Sequence, residues 1–129
     1  MRDTITDMFN SIKNAQAVLK ETVVIPFSNL KYEIAKILKK EGFIKEVEKK
    51  GRGVKRILEI TLKYEDKKPV ISDIARVSKP GQRIYFRSKK IRKVKEGYGI
   101  SVISTPKGLM TNKDAKKAGL GGEMICVVW

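Results

Sequence analysis

The chain has 129 residues, and its 29 Lys and Arg against 14 Asp and Glu leave a formal charge of +15 and a pI near 10. That length fits one domain or two small lobes, and 41% hydrophobic residues supply a core, although two separate lobes would each be thin enough to lean on one another or on a ligand. The absence of His removes the commonest general base and every His-bearing metal site, the single Cys126 in an apolar run excludes an intrachain disulfide and a Cys-only zinc site, and no apolar run approaches the roughly 18–20 residues of a membrane span.

In chain order, Ile5, Met8, Phe9, Ile12, Ala15 and Leu19 follow the three-and-four spacing of a helix with one buried face, and Thr4 with Asp7 resembles a capping box with a shorter acid. The β-branched stretch 22–25 reads as a strand stopped by Pro26. Ser28 caps a second helix whose face is Leu30, Ile34, Ile37 and Leu38, with Gly42 as its left-handed stop and Phe43 folding back over the last turn. Strands at 44–48 and 54–63 follow, joined by a charged, Gly-containing loop at 49–53, with Leu58, Ile60 and Leu62 on the buried face of the second. The charged stretch 63–69 is the candidate boundary between lobes at residues 1–66 and 67–129.

Beyond it come a short strand at 74–77, a Lys79-Pro80-Gly81-Gln82 turn, a strand at 83–86, a short helix at 88–94, and a break at Gly97-Tyr98-Gly99. A strand at 100–104 is followed by a brief helix capped by Thr111 with Asp114 and ended at Gly119, then by a final strand at 123–129. The fold class is α+β. A helix-strand-helix-hairpin lobe precedes a lobe built on a mostly antiparallel sheet with short helices.

The positive charge is uneven. Residues 1–70 hold 16 basic and 10 acidic residues, whereas residues 71–129 hold 13 and 4, and within 74–95 nine cations stand without an acid. Such a field suits a polyanion, because uncompensated self-repulsion destabilises a small domain until a partner neutralises it.

Ser104-Thr105-Pro106-Lys107-Gly108 places two hydroxyls able to meet base edges or a ribose 2′-hydroxyl, a cation for a phosphate, and a Gly that lets another backbone come close; the same residues are also ordinary turn material. Gly121, Gly122 and Glu123 offer close backbone approach, amides for an anion, and an acceptor for a base amino group; a helix stop and strand entry explain Gly119 fully and this pair less well. Tyr85, beside the basic run, can stack on an unpaired base or sit half-buried in a strand. Lys31, on the polar side of the second helix, fits a phosphate contact or a solvated face.

Taken together, DTITDMFNSIKN at 3–14, PFSNLKYEIAKILKKEGFI at 26–44, RVSKPG at 76–81, GISVISTPKG at 99–108, Gly121-Gly122-Glu123 and the terminal VVW resemble bacterial small-subunit ribosomal protein eight over nearly the whole chain. The resemblance implies a two-lobed, non-catalytic protein without cofactors that binds the central domain of small-subunit ribosomal RNA and organises its assembly. It implies Tyr85, Ser104, Thr105, Lys107, Gly121, Gly122 and Glu123 as the main contact, with Thr4 and Lys31 as N-lobe contacts. Neighbouring small-subunit proteins are implied as partners, as is the chain's own operon messenger RNA, repressed through a mimic of the ribosomal site. Two positions and one stretch depart from the pattern: Asn112 stands where an acid is usual, Pro106 replaces a commoner small polar residue, and 86–95 is more basic.

The amino terminus lacks the apolar stretch of a signal peptide, so a cytoplasmic place in the small subunit, away from membranes, is expected. Two other classes compete. A nucleic-acid-processing enzyme would need clustered carboxylates, and residues 71–129 offer only Asp73, Glu96, Asp114 and Glu123, well separated. A membrane-surface or protein-interaction module would use residues 88–95.

Overall fold

In a computed structural model, which describes residues 3–129, the amphipathic opening becomes α1 (Thr4–Ala17), burying Ile5, Met8, Phe9, Ile12 and Ala15 as its spacing requires. Gln16 is buried beside them, its Nε2 donating to the Ile71 carbonyl at 3.3 Å. Leu19, expected on the same face, is 56% exposed. The chain has already turned there: Leu19 takes the left-handed position with φ +56°, while the Lys20 amide donates to the Ala15 carbonyl at 2.9 Å, a Schellman closure made without Gly.

β1 (Thr22–Pro26) leads to α2 (Asn29–Lys40). The Ser28 hydroxyl accepts from the Lys31 amide at 3.1 Å, and Gly42 at φ +82° ends the helix, with the Phe43 amide donating to the Leu38 carbonyl at 2.8 Å. Ile34 and Leu38 are buried, but Leu30 is exposed and Lys31 buried, the reverse of the expected pattern. A lysine can take an inward position where its stem covers apolar surface and its ammonium finds an oxygen; here Nζ donates to the Pro26 carbonyl at 3.1 Å.

β2 (Ile44–Lys50) and β3 (Ile57–Leu62) complete an antiparallel sheet of order β1-β3-β2, in which Leu58, Ile60 and Leu62 of the central strand are buried. The strand expected from residue 54 starts later: Val54 is fully exposed in a 3₁₀ turn, Gly53–Lys55. The charged stretch after β3 pairs as a hairpin, β4 (Tyr64–Glu65) with β5 (Lys68–Pro69), turning through Asp66 and Lys67 at positive φ. All of these elements belong to one compact unit, Thr4–Ser72.

The remainder, Asp73–Trp129 together with Asp3, forms a second compact unit. It contains β6 (Ile74–Arg76), β7 (Tyr85–Phe86), β8 (Ile100–Thr105), β9 (Gly108–Thr111), α3 (Asn112–Ala118) and β10 (Gly122–Val128). The sheet order is β6-β10-β8-β9, with β7 also paired to β10, and every pairing is antiparallel. β9 is not expected from the sequence, which marks Gly108 as turn material and Thr111 as a helix cap, with no strand between them. The helix expected at 88–94 shrinks to the 3₁₀ turn Ser88–Lys90. Adjacent cations repel one another there, and Ile91 is drawn into the core with Ile103 and Ala115, against which Phe86, Met110 and Met124 also pack. Thr111 caps α3 by accepting from the Asp114 amide at 3.2 Å, and Gly119 ends it, both as expected.

Cys126 lies at the middle of this sheet with no exposed surface, and burial pushes its thiol from an ordinary value near 9 up to about 12. A raised acid keeps its proton in the folded state while the unfolded chain loses it. Its contribution to stability is therefore whole below pH 9 and disappears as pH rises toward 12. Iodoacetamide at pH 8 should leave Cys126 unmodified in the native chain and alkylate it fully in guanidinium. Native labelling at the denatured rate would show that the sheet centre is open.

Candidate nucleic-acid interface

Strand periodicity decides which residues share a face. Ile103, Met110 and Met124 pack toward Ile91 and Ala115 of α3, so their neighbours along the strands, Ser104, Leu109 and Glu123, project from the other side. Register aligns these with the strand beyond: Tyr85 opposes Glu123, Glu123 opposes Ser104, and Ser104 opposes Leu109. The result is one row, Tyr85-Glu123-Ser104-Leu109, crossing four strands on the face that α3 leaves uncovered.

The row is chemically mixed. Tyr85 is 69% exposed, so the half-buried alternative does not describe it, and its ring is free to take a flat partner. Glu123 is mostly covered, and its Oε2 receives Arg83 Nη1 at 3.1 Å. Arg83 therefore cancels the one acid that would repel a phosphate approaching this face. Arg83 is one of the nine cations within 74–95; forty residues separate it from Glu123, and no local spacing signals the pair. The half-buried Ser104 hydroxyl has no hydrogen-bonding partner among the described residues.

Thr105 differs from Ser104 in kind. Its hydroxyl donates to the Gly108 carbonyl at 2.7 Å and accepts from the Lys107 amide at 3.1 Å, so it closes the β8–β9 hairpin. Pro106, Lys107 and Gly108 form the exposed tip, which places the Lys107 cation beside the row. Within 104–108 the Thr105 hydroxyl is thus committed to the turn, and the Ser104 hydroxyl is left for the surface.

Gly121 and Gly122 have a reason that helix stopping does not supply. A Cβ on Gly122 would overlap the Ser104 carbonyl, and one on Gly121 would overlap the Phe86 carbonyl and lie 2.9 Å from Arg87 Cα. The space that a side chain would take at each glycine is filled by the chain's own backbone, and Gly122 and Glu123 pair as strand residues. Thr4 and Lys31 belong to the other unit, Thr4 exposed at the start of α1 and Lys31 buried as described.

The basic run divides in the same way. Arg76 is an internal strut, its side chain 8% exposed, with Nε on Asp3 Oδ2 at 3.1 Å and Nη1 on the Ile125 carbonyl at 2.9 Å. Lys95 sits over the Trp129 ring at 4.8 Å. Lys79, Arg87, Lys89, Lys90, Arg92 and Lys93 remain exposed. Among the described residues no three His, Cys, Asp or Glu side chains converge, so the carboxylate grouping that metal-ion chemistry would require is not assembled there.

The sheet is thus backed by α3 on one face, while on the other the exposed Tyr85 and the half-buried Glu123, Ser104 and Leu109 reach the surface at the β8–β9 end and Val102 stays buried. Residues 3–129 match the family model described as Ribosomal protein S8. The chain is 52% identical to small ribosomal subunit protein uS8 of Thermoanaerobacter sp. (strain X514), covering 100% of this chain and 98% of that one. It is 49% identical to that of Geobacter sulfurreducens, with 100% and 98% covered, and 46% identical to that of Synechocystis sp., with 98% and 97% covered. The chain belongs to the ribosomal protein S8 (uS8) family, a family of structural, non-enzymatic ribosomal proteins.

The division of labour within the site can be tested by stability alone. Gly122→Ala should destabilise the chain by about 1–3 kcal/mol or more, because the strands must part to admit the methyl group. Ser104→Ala should stay within about 0.5 kcal/mol of the parent. Equal melting temperatures for the two variants would mean that β8 and β10 do not approach as closely as described.

Proposed function

We propose that this chain is a direct binder of the central domain of small-subunit ribosomal RNA and organises its assembly, with the Tyr85-Glu123-Ser104 row as the reading surface. The carrying observation is the alignment itself: an exposed ring, an acceptor balanced by Arg83 and an unengaged hydroxyl lie side by side on one rigid sheet. Sequence-specific RNA recognition takes unstacked bases onto aromatic rings and meets their edges with polar groups, which is the chemistry this row offers. Tyr85 stacks, Ser104 and the second oxygen of Glu123 meet base or ribose groups, and Lys107 with the exposed cations of residues 79–93 holds phosphates and sets orientation.

Thr105, Gly121 and Gly122 act in this reading by holding the row in register, not by touching RNA through their side chains. Neighbouring small-subunit proteins are the other partners. The same surface would take a messenger segment that copied the ribosomal shape, which is the route by which the chain would repress its own operon.

The test is equilibrium binding to a central-domain RNA fragment and to a length-matched duplex across a salt series. The parent chain should prefer the fragment. Tyr85→Ala should weaken fragment binding by about 1–3 kcal/mol while leaving the salt slope unchanged, since it removes a stack and no cation. If fragment and duplex bind alike and Tyr85→Ala changes neither, the row is not the reading surface.

A further inference from the structure

The helix-covered side of the C-terminal unit carries a feature that the reading surface leaves unused. Lys89, Ile91, Arg92, Lys93 and Glu96 of the loop between β7 and β8, with Lys116 of α3, line an open hollow of about 660 Å³. Its four cations are all exposed, and Glu96 is the one acid among its walls. Three cations of the 74–95 run, Lys89, Arg92 and Lys93, are therefore arranged with Lys116 around a single concavity.

The arrangement is held from below. Ile91 is 1% exposed and packed on Ile103 and Ala115, so the residues on either side of it cannot drift. Asn112, 3% exposed, spans the gap between β8 and the loop: its Oδ1 accepts from the Ser101 amide at 3.2 Å, and its Nδ2 donates to the Arg92 carbonyl at 3.1 Å. An Asp at 112 could accept from Ser101 but has nothing to donate to Arg92 when ionised. The amide, at a position where the family resemblance led to an acid, fits the basic loop that it fastens. At the edge of the hollow, Lys95 and Glu96 both take positive φ, +47° and +56°, a conformation unfavourable for residues with side chains, in a tight loop closed by the Val94–Gly99 bridge.

We propose that this hollow is a second seat for the phosphate backbone of RNA, used for a strand other than the one read by the Tyr85 row. This deepens the reading given above and rests on it. Strand periodicity puts Ile103, and with it Ile91 and α3, on one side of the sheet and Ser104 on the other, so a single strand lying across the row does not also lie in the hollow. The chemistry favours RNA over other polyanions. A protein partner or a membrane surface would be met by an apolar centre within the charged rim, and the one apolar wall residue, Ile91, is already buried. An isolated phosphate would need enclosure, and the hollow is open. Closely spaced cations around an open depression match a backbone that brings several phosphates at once. Seated on both sides, the chain joins two RNA segments.

The experiment uses the full chain with Lys89→Gln, Arg92→Gln, Lys93→Gln and Lys116→Gln combined, beside Asn112→Asp and Tyr85→Ala, each checked for native circular dichroism. Binding to the central-domain fragment is measured across a salt series, and backbone protection is mapped by hydroxyl-radical cleavage. The fourfold variant should lower the slope of log K against log salt by roughly 2 to 4, reflecting four lost cations, and should lose one protected segment while still preferring the fragment over the duplex. Tyr85→Ala should lose a different segment and keep the slope. Asn112→Asp should move the slope in the direction of the fourfold variant and speed amide exchange in residues 92–94, with the preference for the fragment kept. An unchanged slope and footprint in the fourfold variant would overturn the proposal, as would loss of binding to anionic vesicles or acidic peptide in place of RNA. If the parent shows no preference for the fragment while the fourfold variant still lowers the slope on RNA, the reading surface fails and the phosphate seat stands.

Discussion

Three backbones crowd together where β10 begins, and the placement of the row proposed as the reading surface depends on that crowding. At Gly121 the chain runs against the Phe86 carbonyl, and at Gly122 against the Ser104 carbonyl, closer in both cases than any side chain permits. Only this approach brings β7 and β8 to opposite edges of β10 in the register that sets Tyr85, Glu123 and Ser104 abreast. Two residues without side chains thereby position three that have them. Glycines that resemble ligand contacts in a sequence can thus be functional at one remove, by allowing the sheet that carries the contacts.

The charge of the molecule is similarly divided between structure and surface. Arg76 is inside, committed to Asp3 and the Ile125 carbonyl, in a setting where losing either partner strands a buried charge. Lys31 is inside as well, its ammonium on the Pro26 carbonyl. Arg83 is half-exposed and neutralises Glu123 at the centre of the row. The cations left over collect around the hollow beside α3. Net charge alone predicts attraction to RNA everywhere; the allocation of individual cations gives the attraction its places.

The elements with local causes were legible in the sequence. Helix spacing in α1, the Ser28 and Thr111 caps, the Gly42 and Gly119 stops and the buried face of β3 follow from residues within a turn or two of one another. What escaped has its cause elsewhere in the chain. Leu19 is out because α1 closes without Gly; Lys31 is in because a carbonyl five residues earlier receives it; residues 88–94 fail to complete a helix because Ile91 is claimed by α3 and β8. In the site, the hydroxyl loop, Tyr85 and the Gly-Gly-Glu segment were legible as a set, and the family resemblance joined them. The roles within the set were not: that Thr105 closes the turn while Ser104 stays open, and that Arg83 sits on Glu123, are consequences of strand register.

The +15 charge also ties folding to assembly. In the free chain the unpaired cations repel one another over distances comparable with the Debye length, about 8 Å at physiological ionic strength, so added salt relieves the folded state. In the proposed complex the same cations displace counterions from RNA, and added salt works against them. Salt therefore strengthens the free fold and weakens the bound one, and the two responses meet in the same side chains. Because only the folded chain holds the row and the hollow in place, RNA binding draws the folding equilibrium with it by mass action. A unit with a thin core can then tolerate an excess of positive charge that would be a liability in a protein working alone, since the partner that needs the charge is also the one that neutralises it.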